Sequence, residues 1–222
     1  MGMTYAQLVT AVQLRCFAGQ NTWATNIKII LNMLVSDIAR GVYTKGDGRV
    51  LIHYWNDLKD LNTQTLAIDG TSITLTNNRS VLKVRIADVD NSYTTLRERS
   101  IEQTDISSPY PAQTANRPSF YSMWGDTMLF DTKADQAYTV YARRYIWPTD
   151  MVADASTPTI TGIDDVIIAK TCADVFASRQ GEDSGEAVYW SRKGDELYLK
   201  AVEADASKQF IDGPVAFVPG RR

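Results

Sequence analysis

The sequence predicts an α+β protein: a helical bundle built from N- and C-terminal helices, an inserted antiparallel β module, and an extended C-terminal tail. Three observations carry this. Apolar residues recur at helical spacing up to residue 61 and again after 160. Between 62 and 148 they alternate instead with Thr, Tyr and charged residues. Residues 209–222 mix Gly and Pro, which forbid a helix, with five large apolar side chains that are unusual in a free tail.

The elements follow in order. Thr4-Tyr5-Ala6-Gln7 fits a capping box, and behind it Tyr5, Leu8, Val9, Val12 and Cys16 share a helical side that ends by Gly19. A second helix starts at Asn21 or Thr22, carries the stripe Ile27, Ile30, Leu31, Leu34 and Ile38, and stops at Gly41. Lys45-Gly46-Asp47-Gly48 is a turn. Residues 49–61 read as a third, short helix with Val50, Leu51, Tyr54, Trp55 and Leu58 on one side.

Strands come next. Ile73 and Leu75 alternate with hydroxyl residues, Leu82, Val84 and Ile86 with Lys83 and Arg85, and Tyr138, Val140 and Ala142 with Thr139, Tyr141 and Arg143. Gly125-Asp126, between 120–124 and 127–130, is a two-residue hairpin signal. Residues 106–118 carry three prolines and read as a mobile surface loop rather than a central strand. The helical period then returns, with Thr161 as the expected N-cap and Asp164 and Asp165 in the first turn, where the helix dipole favours anions. Gly181 ends that helix and Ser184 opens the last one, whose side of Ala187, Trp190, Gly194, Leu197, Tyr198, Ala201 and Ala204 suits close packing.

Composition narrows the function. At 44% hydrophobic and 22% charged, the 222 residues can bury a core, and general disorder is excluded. Against 26 acidic residues stand 23 Lys and Arg, a net charge of −3 that argues against a protein clamping phosphates over its whole surface. Cys16 and Cys172 lie far apart in sequence and read as small buried hydrophobes rather than a disulfide or a reactive pair. No basic segment followed by an apolar run suggests secretion, and the most apolar window, 27–39, is too short and too polar to span a bilayer.

No nucleotide-binding glycine loop and no nucleophile elbow is present. His53, the single histidine, is expected to be structural, since zinc would need several Cys or His partners. Asp88-Val89-Asp90-Asn91 superficially resembles a calcium loop but lacks its glycine and distal glutamate, so a turn is the better reading. No catalytic residue, cofactor or metal site is expected. Basic residues gather weakly at Arg97/Arg99, Arg143-Arg144 and Arg221-Arg222. The first two groups neighbour Tyr93, Tyr141 and Tyr145, which suits either base stacking or a salt-bridged outer sheet face.

The tail carries the main candidate site: Phe210, Ile211, Val215, Phe217, Val218, Arg221 and Arg222. It either closes on its own core or extends into a neighbour and adds a strand there. In the second case one flexible tail would bind weakly, and many tails presented together would bind firmly through effective concentration.

The chain resembles the head-to-tail adaptor (connector, or neck) proteins of tailed bacteriophages. The resemblance lies in Met3-Thr4-Tyr5-Ala6-Gln7-Leu8-Val9, in the passage from Arg117-Pro118 through Trp124-Gly125-Asp126 to Phe130, in the Tyr-rich run Tyr138 to Tyr145, in Gly162-Ile163-Asp164-Asp165, and in Tyr189-Trp190. It implies a virion structural protein and not an enzyme. Such a protein forms a ring, usually of twelve copies, between the portal protein and a tail, nozzle or tail-completion protein. Double-stranded DNA would pass through it without sequence-specific contact, no membrane would be involved, and assembly would occur in the bacterial host cytoplasm.

On that reading 1–61 with 161–208 form the helical adaptor core, 62–148 the β module, 149–160 a linker, and 209–222 a docking tail. Tyr110, Arg117 and Tyr121 are assigned to tail-side contacts of the 106–118 region. The main alternative is a glycan- or nucleic-acid-binding module using the tyrosine-rich sheet, with Trp124 and Tyr141; a hydrolase using unrecognised carboxylates is a third.

Overall fold

The computed structural model describes residues 2–16, 23–44, 50–90, 92–103 and 114–209. The chain divides into two units, Met1–Leu58 with Pro148–Arg222, and Lys59–Trp147. The mixed α+β class is as the sequence predicts.

The first unit is helical. It holds α1 (Tyr5–Cys16), α2 (Ala24–Arg40), α3 (Asp164–Gln180) and α4 (Gly185–Gln209), with a small hairpin of β1 (Val42–Thr44) and β2 (Val50–Ile52). The expected capping box forms: Thr4 N–H donates to Gln7 Oε1 at 2.8 Å and Gln7 N–H donates to Thr4 Oγ1 at 3.3 Å. α3 is apolar nearly all round, burying Val166, Ile167, Ile168, Ala169, Cys172, Ala173, Val175 and Phe176, and this makes it the central helix, packed against α1, α2 and α4.

Local expectations change at three places. The described part of the expected 49–61 helix, residues 50–61, is not an α-helix. Val50–Ile52 pairs antiparallel with Val42–Thr44, a short 3₁₀ turn spans Asn56–Leu58, and a strand begins at Lys59. Thr161 does not cap α3; its N–H and its hydroxyl both donate to Asp57 Oδ2, each at 2.7 Å. Residues 149–160 are fastened to the helical unit: Met151 N–H donates to Asn32 Oδ1 at 3.0 Å, Asn32 Nδ2 donates back to the Met151 carbonyl at 3.2 Å, and the Tyr5 N–H donates to the Ser156 carbonyl.

The second unit is a seven-stranded sheet. Its strands are β3 (Lys59–Leu66), β4 (Ser72–Thr74), β5 (Asn78–Ala87), β6 (Tyr93–Glu98), β8 (Phe120–Trp124), β9 (Thr127–Phe130) and β11 (Tyr138–Ile146), in the order β3-β11-β5-β6-β8-β9-β4. A separate two-residue parallel bridge joins β7 (Ala115–Asn116) to β10 (Lys133–Ala134). All neighbours in the large sheet are antiparallel except β6 and β8. The sheet curls until its two edges meet, where Gln64 Nε2 on β3 donates to the Thr74 carbonyl on β4 at 2.7 Å. The β module is thus a nearly closed, barrel-like sheet, which removes most of its free edge. Leu66, Leu75, Val84, Ile86, Met128, Phe130, Tyr138 and Val140 fill its interior.

The expected hairpin forms at Gly125-Asp126, with Gly125 at φ 56° and Trp124 paired to Thr127. Leu82 departs from its expected alternation and is exposed, because the β5–β11 register shifts there: Lys83 faces Arg143 and Val81 faces Arg144, with Leu82 bulged out between them.

Candidate interaction surfaces

The tail residues Phe210, Ile211, Val215, Phe217, Val218, Arg221 and Arg222 lie outside the described residues, as does Tyr110; the structure describes the root from which the tail leaves. There Asp205 of α4 is buried at 3% exposure, with its hydrogen bonds gathered on one carboxylate oxygen. Its Oδ2 accepts from the Asn56 backbone N–H at 3.0 Å and from Asn56 Nδ2 at 3.2 Å, and it lies 2.9 Å from His53 Nε2, with the imidazole as donor. Asn56 Nδ2 also donates to the Asp205 carbonyl. Lys208, one turn on, reaches Asp205 Oδ1 at 3.4 Å and Asp57 Oδ2 at 3.7 Å. Hydrogen bonds from Thr161 and the nearby lysine hold the Asp57 carboxyl below its usual range, against the opposing effect of burial.

The aromatic side of this junction is apolar. Trp55 is buried, donates Nε1–H to the Ile38 carbonyl at 2.9 Å, and meets His53 and Tyr198 edge-on at 4.8 and 6.0 Å between centroids. The last turns of α4 are thereby tied to the segment 53–58. His53 was expected to be structural, and it serves here as one arm of this latch.

Three helices carry exposed apolar residues. Leu14 stands on α1; Ile29 and Met33 flank an open groove on α2 with Asn32, Ser36, Asp37 and Arg40; Tyr189 stands on α4 beside Val188 and Arg192. Of these only Ile29 and Met33, one turn apart on α2, are neighbours along a helix. Between α3 and α4 the packing is close. The stem of Lys170 crosses Gly194, whose missing Cβ leaves it room, and its ammonium pairs with Asp195. Burial lowers the Lys170 pKa and raises that of Asp195.

In the sheet unit, the tail-side assignment of Tyr121 is corrected: it is a core residue of β8, 4% exposed, with its hydroxyl 3.5 Å from Glu98. The strand turns this ring inward, into the core of the sheet unit. Arg117 is pinned within the unit, donating to the Ser92 carbonyl at 2.9 Å and pairing with Asp88 at 3.4 Å. The Asp88 turn forms as read: its Oδ1 accepts from the backbone N–H of Asp90 and of Ser92. The pair Arg143-Arg144 separates. Arg144 is buried, donating to Asp60 Oδ2 and to the Thr76 carbonyl, each at 2.8 Å, while Arg143 is exposed.

The two cysteines, far apart in sequence, are neighbours. Both are buried, and a hydrogen bond between the thiols raises the Cys172 pKa and lowers that of Cys16. Among the described residues no group of three or more His, Cys, Asp or Glu is placed to hold a metal ion, and no helix is long and apolar enough to cross a membrane.

Two buried tyrosines set an alkaline limit. Burial pushes both Tyr121 and Tyr198 to about 12, from an ordinary 10.0, with Glu98 adding to the shift at Tyr121. The folded state therefore keeps protons that the unfolded chain releases above pH 10, so stability present below that pH is lost as pH rises toward 12. Phenolate absorbance is expected to rise in two stages, the later one coinciding with loss of ellipticity; a single early titration of all tyrosines would contradict this.

A helical unit with exposed apolar side chains on three of its helices, and a curled, barrel-like sheet, define a two-unit α+β protein. The chain belongs to the SU10 adaptor protein family, whose description matches residues 3–216. It is thus a member of the phage head-to-tail adaptors that its sequence resembles, with a structural adaptor role. No curated protein matches it.

Proposed function

We propose that this chain is a non-enzymatic virion neck protein that assembles as a ring between portal and tail and docks through residues 209–222. The family match over nearly the whole chain carries this reading. The helical unit acts as the adaptor core, with the sheet unit inserted between its two halves in sequence. The faces bearing Ile29, Met33 and Tyr189 lie against neighbouring copies, twelve in the ring. The tail of each copy grips the portal protein, and the other side of the ring meets the nozzle or tail-completion protein. Double-stranded DNA passes along the axis without sequence-specific contact; the net charge of −3 favours sliding over retention. Assembly takes place in the bacterial host cytoplasm.

The test is to mix the purified chain with portal and image the product by negative stain. The full chain is expected to give rings on portal. A chain truncated after Lys208 is expected to keep its helix content yet fail to join. Met33→Asp, at an exposed position, should change stability by less than about 0.5 kcal/mol while blocking the ring. An unfolded truncation would assign the tail to the internal core, and full-length chain that ignores portal at micromolar concentration would refute the proposal.

A further inference from the structure

The outer face of the sheet unit carries a surface that the adaptor reading does not use. Residues 59–147 hold ten basic and ten acidic residues, so any charged face there arises from segregation and not from composition. The strand register creates one. Arg143 on β11 stands between Leu61 on β3 and Lys83 on β5, and in the adjoining row Tyr141 stands between Thr63 and Arg85. Alternation along β11 leaves Arg143 outside with Tyr141 and turns Arg144 inward with Val140 and Ala142. Tyr93 on β6 completes the site, its ring centroid 5.9 Å from that of Tyr141. Leu61, Lys83, Arg85, Tyr93, Tyr141 and Arg143 together line an open concavity of about 230 Å³.

Other arginines of this unit are used internally: Arg144 pairs with Asp60, Arg117 pairs with Asp88, and Arg79 lies over the Trp147 ring. Lys83, Arg85 and Arg143 enter no ion pair among the described residues, and no carboxylate lines the concavity. The salt-bridged outer face that the sequence left open is therefore not what forms around these three side chains. Arg97 extends the basic surface, since strand alternation puts it on the same exposed face of β6 as Tyr93.

We propose that this face binds single-stranded nucleic acid, with Lys83, Arg85 and Arg143 on the phosphodiester backbone and the Tyr93–Tyr141 pair stacking on an unpaired base. Exposed aromatics beside a basic track are the two components of such binding. Lys83 and Arg85 are spaced by about 7 Å along their strand, and Arg143 lies one strand away, about 5 Å across the ladder. A neutral sugar fits poorly, because its hydroxyls need acceptors and this lining offers little but donors. A small enclosed anion fits poorly too, because the concavity is too open to cover most of a ligand. In a duplex the bases are stacked inside, beyond the reach of the tyrosines. Trp124, at the tip of the β8–β9 hairpin, is not part of this lining.

The experiment is fluorescence anisotropy of a fluorescein-labelled oligothymidylate with the full chain at low salt, with its duplex, heparin and polyglutamate as competitors. Arg85→Ala and Arg143→Ala are each expected to weaken binding several-fold and to flatten the plot of log affinity against log salt by about 0.7 per cation removed. Tyr141→Ala should weaken it about tenfold and Tyr141→Phe should restore it. Tyr93→Ala, at a more exposed ring, gives the same readout if Tyr141→Ala perturbs folding. Absence of oligothymidylate binding would overturn the proposal. So would duplex or polyglutamate competing as well as the single strand with no response to either tyrosine variant, which would instead mark a surface for any polyanion, an acidic protein included.

Discussion

Gly41→Ala is expected to destabilise the helical unit by about 3–4 kcal/mol, a large share of the stability of an ordinary domain. Gly41 ends α2 in the left-handed region at φ 68°, where its N–H donates to the Ile38 carbonyl and its own carbonyl accepts from the His53 N–H at 2.7 Å. A Cβ built there would sit 1.8 Å from the His53 carbonyl oxygen. Two penalties add: the conformation itself, about 1–2 kcal/mol for an L-residue, and forced displacement of packed backbone, about 1–3 kcal/mol. The displaced segment carries His53 to Asp205 and Trp55 into the core, so the strain reaches the root of the tail. Urea unfolding measures the effect. Gly41→Asn separates the two penalties, because Asn tolerates the left-handed region but keeps the Cβ. It is expected to be nearly as damaging, and a mild Asn variant would show that conformation alone selects glycine.

Asp205→Ala is expected to lower stability by about 2–4 kcal/mol. The carboxylate is buried and draws together the Asn56 N–H, the Asn56 amide and the His53 imidazole; removing it strands these donors beside a vacated volume. Asp205→Asn keeps the shape and one acceptor and should lose about half as much. The loss is expected as a lower urea midpoint with an unchanged slope, since the surface exposed on unfolding is the same. Amide exchange should accelerate first in the last two turns of α4. Uniform acceleration through α3 and α4 alike would mean that Asp205 supports the whole unit and not the tail root in particular.

Much of the fold was legible because its signals are local. The Thr4/Gln7 capping box, the α2 stripe ended by Gly41, the Gly125-Asp126 hairpin and the alternation around Val84, Ile86 and Val140 each specify their element within a few residues. The segment 49–61 misled because Val50, Leu51, Tyr54, Trp55 and Leu58 do fall on one helical side, yet the pairing with Val42–Thr44 and the entry into β3 take precedence. Tyr121 misled in another way: an aromatic in a strand beside a proline-rich loop reads equally as surface or core, and only the closing of the sheet decides. The latch was beyond sequence reading, since His53 and Asp205 are 152 positions apart. Lys83 and Arg85 were visible as outward-facing by alternation, but that no carboxylate among the described residues comes to meet them is a property of the assembled sheet.

As proposed, this chain is a stoichiometric part of the phage particle that acts by contact alone. Quantitative mass spectrometry of purified, intact virions tests this proposal most directly. The chain is expected in every particle, in copy number equal to the portal protein. Its absence from finished particles while abundant in infected cells would contradict it.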